Sequence, residues 1–201
     1  EEVLIQFMID HYRARFPGCK IVVYDNISTD NTVKIALANG CEVMPYDTNG
    51  QLQDSRYIEI KNHCWKEADT DWVLMCDLDE LLEINAEQLK KEETLGTSII
   101  KTEGYNMITL DDKLDLAGLK YGEWDEGMNK RCLFNKKFVK EINYDIGCHF
   151  CNPVGTIKYS QRIYNLLHYC YINYDVTVKR YRLYRARISP EDIKNGCTSY
   201  G

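Results

Sequence analysis

No stretch of this chain approaches the roughly 18 consecutive apolar residues of a transmembrane helix, so no membrane span is expected. Basic charge is also short. Lys and Arg number 25 against 31 Asp and Glu, for a formal net charge of −6. General binding to nucleic acid or to a membrane surface usually needs a basic face, so neither partner is expected. The first residues, Glu1-Glu2-Val3-Leu4, offer no basic n-region, which speaks against a signal peptide. There is no internal repeat, no low-complexity tract and no convincing linker.

What is present is ordinary globular material. The 201 residues suffice for one large domain or two very small ones, and 44% hydrophobic content supports a real core. Nine cysteines are an odd number for a disulfide framework. Cys19, Cys41, Cys64 and Cys76 lie scattered in apolar or element-end contexts. They read as buried free thiols in a reducing, cytoplasmic compartment. Most of the fifteen tyrosines fall in the second half, where they either stack on sugars or bases or simply pack.

Val3, Leu4, Phe7, Met8, His11, Tyr12 and Phe16 recur at helical spacing, which predicts a helix over residues 3–16 ended by Pro17-Gly18. His11 on that stripe reads as a packed histidine. Residues 19–24 and 41–45 read as short strands. The helix between them is capped by Asp30 or Ser28 and closed by Gly40. Residues 53–68 read as a further helix and Trp72–Cys76 as the central strand. The alternation implies an α/β fold with a parallel sheet and right-handed crossovers. The chain opens on a helix where such units begin with a strand, so a first strand is expected to precede residue 1 or to have been trimmed. Beyond residue 80, expected elements are a helix over 83–91, strands over 97–101 and 105–110, and a long loop over 111–129. Strands follow over 130–134 and 139–144, then a basic, Tyr-rich stretch over 175–187, and a last helix begins at Ser189-Pro190-Glu191-Asp192.

The most informative stretch is Asp71-Trp72-Val73-Leu74-Met75-Cys76-Asp77-Leu78-Asp79-Glu80. An apolar run reads as a strand buried on both faces and stops at three carboxylates. In an extended chain, residues two apart share a side, so Asp77 and Asp79 would face one point. Two anionic oxygen donors at the carboxyl end of a strand suit a hard divalent cation, and in open α/β sheets ligands bind at that end. The alternative is a solvated acidic turn.

A strand ending in Asp25-Asn26, followed by Ile27-Ser28-Thr29-Asp30-Asn31-Thr32 and a helix, resembles the nucleotide-binding start of family-2-type glycosyltransferases. Asp77-Leu78-Asp79 resembles their Asp-x-Asp metal motif. Gln53 and Arg56 fall where these enzymes carry a Gln and a basic residue near the nucleotide. Lys130, His149 and His168-Tyr169 resemble the Lys…His…His-Tyr pattern of one subgroup, and within the family the chain resembles a glycosyltransferase domain encoded by a large algal virus. Order and spacing agree over roughly residues 1–185, which is more specific than any single motif.

The resemblance implies one GT-A (Rossmann-like) domain over residues 1–201, alone or within a longer protein. It would be a three-layer sandwich with a mostly parallel central sheet. It also implies transfer of a hexose from a nucleotide-sugar, a UDP-sugar, to a glycan or glycoprotein hydroxyl with inversion, helped by Mn²⁺ or Mg²⁺. Asp79 is then the first choice for direct metal contact. Asp77 holds the ribose or reaches the metal through water. His149 or His168 supplies a further ligand to metal or diphosphate. Glu80, one residue out of phase, supports Asp79 or a neighbouring backbone group. Asp25 suits the base or ribose and Asn26 is a further cofactor-binding candidate beside it, while Asn26, Ser28 and Asp30 also build the loop. Arg56 stands near the nucleotide, and Lys130 with Arg131 neutralises diphosphate. Inversion needs a carboxylate to deprotonate the acceptor. Within Gly122-Glu123-Trp124-Asp125-Glu126-Gly127, Asp125 is chosen first, then Glu123 and Glu126, beside Trp124 as a sugar platform. The run Lys179, Arg180, Arg182, Arg185, Arg187 reads as a solvated helix face or as a cover for the diphosphate.

Cys148, His149, Cys151, His168 and Cys170 could form a zinc site, but Cys-x-x-Cys occurs once without a matching pair. Two other functions compete with sugar transfer. A sugar-1-phosphate nucleotidyltransferase usually needs a Gly-rich, basic phosphate loop after its first strand, and none is found. A non-catalytic nucleotide- or glycan-binding module needs no base at all.

Overall fold

The computed structural model describes residues 1–109 and 113–196. In chain order the elements are α1 (Glu2–Arg15), β1 (Val22–Asp25), α2 (Thr32–Ala38), β2 (Glu42–Pro45), α3 (Asp54–His63), β3 (Trp72–Leu74), β4 (Glu80–Leu82) and α4 (Ala86–Thr94). They continue with β5 (Ile99–Ile108), β6 (Gly122–Trp124), β7 (Leu133–Asn135), β8 (Val139–Glu141), β9 (Val154–Gly155), β10 (Tyr159–Tyr171), α5 (Tyr174–Arg187) and α6 (Pro190–Lys194). Single 3₁₀ turns stand at Cys64–Glu67, Glu126–Met128 and Ile146–Cys148. The fold is mixed α/β. It divides into two units, one from Glu1–Gln53, Ile108–Lys120 and Cys170–Gly201, the other from Asp54–Met107 and Tyr121–Tyr169.

In the first unit, α1 buries Leu4, Ile5, Met8, Ile9 and Tyr12, residues three or four apart on one face. Val3 lies outside that stripe and is 38% exposed, while His11 sets its ring edge-on to Tyr12. α1 packs on α2, and β1 pairs with β2 in a two-stranded parallel sheet with Val23 opposite Val43. Gly40 closes α2 with a φ of 67°, a conformation that costs glycine no side-chain clash. Asn31 is the N-cap of α2, and the Asp30 carboxylate accepts from Thr32 N at 3.0 Å. α6 starts as expected, with Ser189 Oγ accepting from Asp192 N at 3.0 Å.

The second unit holds a six-stranded sheet of order β3-β7-β5-β10-β4, with β6 added to β5. Trp65, Val73, Ile99, Phe134, Val139, Ile142, Tyr144 and Cys148 form its core, and Trp65 meets Phe134 edge-on at 5.1 Å. α3 is stapled to the chain at Tyr144. Asn62 Oδ1 accepts from Tyr144 N at 2.8 Å, and Asn62 Nδ2 donates to Tyr144 O at 3.3 Å. The start of α4 is set by a capping box between Asn85 and Gln88, three residues after the expected Glu83, and the helix ends at Thr94 rather than Lys91.

The mostly parallel central sheet that the alternation predicts is not what these strands form. β3–β7, β7–β5, β5–β6 and β10–β4 are antiparallel. β5 and β10 run the same way, since Ser98 N meets Lys158 O at one end and Thr109 N meets Tyr171 O at the other. For β5, β6 and β7 the reason is the connections: among the described residues no α-helix separates them. Links without a crossover helix suit antiparallel neighbours. β3 therefore stands at one end of the strand order with Trp72 and Leu74 only half-buried, not at the centre.

The two strands expected over 97–101 and 105–110 are one strand, β5. Gly104, inside this strand, lets Met128 approach the backbone closely. The expected loop over 111–129 contains β6 and a 3₁₀ turn. Leu110, Asp111 and Asp112, at the boundary of those two expected elements, lie outside the described residues.

Candidate functional site

The acidic stretch is a turn, not an extended strand. β3 ends at Leu74, Asp77 N donates to Glu80 Oε2 at 3.1 Å, and Glu80 N donates to Asp77 O at 3.1 Å. Asp77 and Asp79 therefore diverge, each into its own set of partners. Glu80 supports a neighbouring backbone group, as its phase suggests.

Around Asp77 the charges are positive. Lys61 Nζ lies 2.6 Å from Asp77 Oδ1, and Lys130 Nζ lies 3.1 Å from Asp77 Oδ2 and 2.5 Å from Glu80 Oε1. The side chains of Lys130 and Glu80 are 5% and 1% exposed, while that of Asp77 is 47% exposed. Burial pushes the Asp77 carboxyl up, but the charges of Lys61 and then Lys130 outweigh it and hold it well below the ordinary carboxylate range. Burial likewise pulls both lysines down, and Asp77 followed by Glu80 more than restores them. Two ammonium groups and two carboxylates thus balance each other. A cation directly on Asp77 would meet two lysines, so direct metal contact suits Asp79 better.

Asp79 belongs to a second network. Its Oδ2 lies 3.4 Å from His168 Nε2, and its backbone carbonyl accepts from Tyr169 N at 2.7 Å. His168 Nδ1 bonds Asn106 Oδ1 at 2.9 Å, and Asn106 Nδ2 donates to Asp125 Oδ2 at 2.9 Å. Asp125 Oδ1 caps the 3₁₀ turn by accepting from Gly127 N at 2.9 Å, and the carbonyl of the same Gly127 meets His149 Nδ1. Asp79, His168, Asp125 and His149 are therefore strung on one chain of hydrogen bonds and close polar contacts. The sheet explains it: His168 is opposite Glu80 across β10–β4, and Asn106 is opposite Glu123 across β5–β6. With β5 beside β10, these residues form one row over four strands. Burial, and after it the Lys130 charge, hold the His149 imidazole below its ordinary value, which favours the neutral ring.

The remaining candidates stand apart from these networks. In the first unit the Asp25 carboxylate accepts from Ser28 N at 3.0 Å, and Asn26 Nδ2 binds Thr48 Oγ1 at 2.8 Å and Gln51 O at 3.0 Å. Asn26 thus builds its loop, as expected, and Asp25 shapes the turn that follows β1. Asp25 also ends a strand of the two-stranded sheet rather than of the sheet that holds β3. Arg56 pairs with Glu59 on the surface of α3. Glu123 and Glu126 are exposed, and Trp124 is 53% exposed. Arg131 donates to its neighbours' carbonyls at Asn129 and Thr102. In the basic run on α5, Arg180 contacts Glu1, and Arg187 donates to Gly50 O at 2.7 Å. None of the described cysteines is in a disulfide, and Cys197 lies outside the described residues.

Asp79 and His168 are the two motif residues that stand close enough to share one cation, or one proton, between them. The Asp125 carboxylate only accepts, so Asn106 turns its amide nitrogen to Asp125 and its oxygen to His168. His168 Nδ1 must then donate, and in the neutral ring Nε2 presents a lone pair towards Asp79 Oδ2. Two acceptors so placed repel unless a proton or a cation lies between them. Among the described residues, no three His, Cys, Asp or Glu side chains are arranged to hold a metal ion. A two-donor corner leaves the other positions to water and phosphate, which is usual for magnesium.

Reading the sequence alone misses Lys61 and Asn106. Lys61 sits on a helix with no motif around it, and Asn106 is one polar residue in a strand. Each gains its role only from a partner brought from elsewhere in the chain. No helix among the described residues is long and apolar enough to cross a membrane. Set against models of known protein families and against curated proteins, the chain matches none of them.

Proposed function

We propose that this chain is a metal-dependent glycosyltransferase that moves a hexose from a UDP-sugar to a hydroxyl of a glycan or glycoprotein, with inversion, on a GT-A-type three-layer α/β fold. One observation carries it: Asp79 and His168, the motif's metal candidates, are joined through Asn106 to Asp125, the candidate base. Asp79 and His168 would hold Mn²⁺ or Mg²⁺. When bound, the ion supplies Lewis-acid stabilisation of the departing diphosphate.

The chain's own groups account for the rest. Asp77, kept ionised by Lys61 and Lys130, is an acceptor for ribose hydroxyls. Lys130 keeps positive charge beside that position. Asp125 is oriented by Gly127 N and Asn106, and each of its oxygens retains a second lone pair to take the acceptor's proton. Glu123 and Glu126 flank it on an exposed edge, with Trp124 presenting a ring face for a sugar.

The test is incubation with UDP-sugars with and without Mn²⁺, following UDP release and thermal stability together. Metal-dependent UDP release that Asp79→Ala abolishes is the expected result. A ligand that binds the native state raises its apparent stability. No metal-linked shift with any nucleotide-sugar overturns the proposal. Turnover of sugar-1-phosphate with UTP, and none of UDP-sugar, would assign a nucleotidyltransferase.

A further inference from the structure

We infer that Asn106 is a positioning residue: it selects the His168 tautomer with the proton on Nδ1 and thereby aims the Nε2 lone pair at the corner shared with Asp79. The inference rests on the metal reading above and adds a residue that no sequence motif marks.

Asn106 is held from two sides. Its backbone is paired in register with Glu123 across β5–β6, and its amide nitrogen is anchored by Asp125 Oδ2 at 2.9 Å. A carboxylate can only accept, so this anchor excludes the flipped amide, which would set two oxygens against each other. The amide oxygen is left at 2.9 Å from His168 Nδ1, which serves as the donor. Imidazole ligands commonly have their second nitrogen fixed by such a partner, which sets the tautomer and the ring orientation. Asp125 therefore acts on two levels: it stands as the candidate base, and through Asn106 it fixes the ring that faces Asp79.

The experiment uses the full chain labelled with ¹⁵N-histidine. With four histidines in the sequence, His168→Gln assigns the signal. In metal-free protein at a pH where the ring is neutral, ¹⁵N shifts report which nitrogen carries the proton. The expected result is His168 protonated at Nδ1 in the unmodified chain and a loss of that preference in Asn106→Leu. A merely structural role for Asn106 would leave the tautomer unchanged in a folded Asn106→Leu protein. The Mn²⁺ concentration needed for half-maximal thermal shift should rise about ten- to hundredfold in Asn106→Leu.

A wild-type His168 protonated at Nε2 overturns the inference, and so does an unchanged tautomer in Asn106→Leu. The wild-type spectrum decides the matter even if that variant does not fold. Because the tautomer needs no metal, an Nδ1-protonated ring together with no response to Mn²⁺ would retire the metal reading and leave the positioning of His168 by Asn106 standing.

Discussion

At the scale of single residues, Lys130 has the most at stake. Its ammonium is buried between Glu80 and Asp77, and its backbone carbonyl accepts from the Thr102 hydroxyl. Glu80 in turn holds Asp77 N and so shapes the acidic turn. Removing one member of a buried pair leaves a charge without compensation and typically costs about 3–5 kcal/mol. Lys130→Met is therefore expected to lower unfolding stability by about that amount, measured by urea denaturation. The exposed pair Lys91–Glu87 on α4 gives the contrast: Lys91→Met should leave stability essentially unchanged. Equal effects at the two sites would mean that burial is not what makes the Lys130 pair matter.

At the scale of elements, β5 and the 3₁₀ turn at Glu126–Met128 act together. Gly104 N donates to Asn129 Oδ1 at 2.8 Å, and Gly104 O accepts from Asp125 N at 3.0 Å, so one residue of β5 pins both ends of the turn. The approach is so close that a Cβ at position 104 would fall inside contact distance of the Met128 backbone and side chain. Gly104→Ala is predicted to destabilise the fold by about 1–3 kcal/mol through overpacking. Under the proposed function it should also displace the Asp125 cap, and kcat for the proposed sugar transfer should then fall more than KM for the proposed donor rises. An unaltered kcat in a folded Gly104→Ala protein would disconnect the turn from the chemistry. Gly147→Ala tests the turn on the other side of His149, since a Cβ there would meet the imidazole Cδ2 at 2.6 Å.

At the scale of the molecule, the same groups set how stability depends on pH. The His149 imidazole titrates below its ordinary value of 6.5, so the unfolded chain takes up that proton first. Its contribution is complete above pH 6.5, declines as pH falls through that value, and levels off once the folded protein also protonates. The Asp77 carboxyl is depressed from 3.8, so its contribution is present above that value and is lost as pH falls towards the folded pKa. Stability is thus expected to fall in two steps on acidification, one starting near pH 6.5 and one near pH 3.8. Urea denaturation across pH 3 to 8, an interval of about five units chosen to span both steps, checks this. His149→Gln should remove the upper step and leave the lower one, and a wild-type curve that rises on acidification below pH 6.5 would contradict the assignment.

Much of the local architecture was legible in the chain itself. The helix after Asp30, its glycine stop at Gly40, the parallel pairing of β1 with β2 and the Ser189 cap all depend on residues close in sequence. So does the turn in which Glu80 serves Asp77 N. Local periodicity and capping chemistry suffice for such features. Strand order and direction were not legible. Val73 and its neighbours are apolar whether the strand is central or terminal, and a short apolar run does not name its partners. Asp77 and Asp79 drew notice as a pair, yet folding assigned them to different networks, one built on Lys61 and Lys130 and the other on His168 and Asn106. Sequence alone determined which residue types were available and which short elements would form. Tertiary structure alone decided which of them share charge and protons, because those pairings join side chains far apart in the chain, and only the packing of the sheet and α3 brings them within hydrogen-bonding distance.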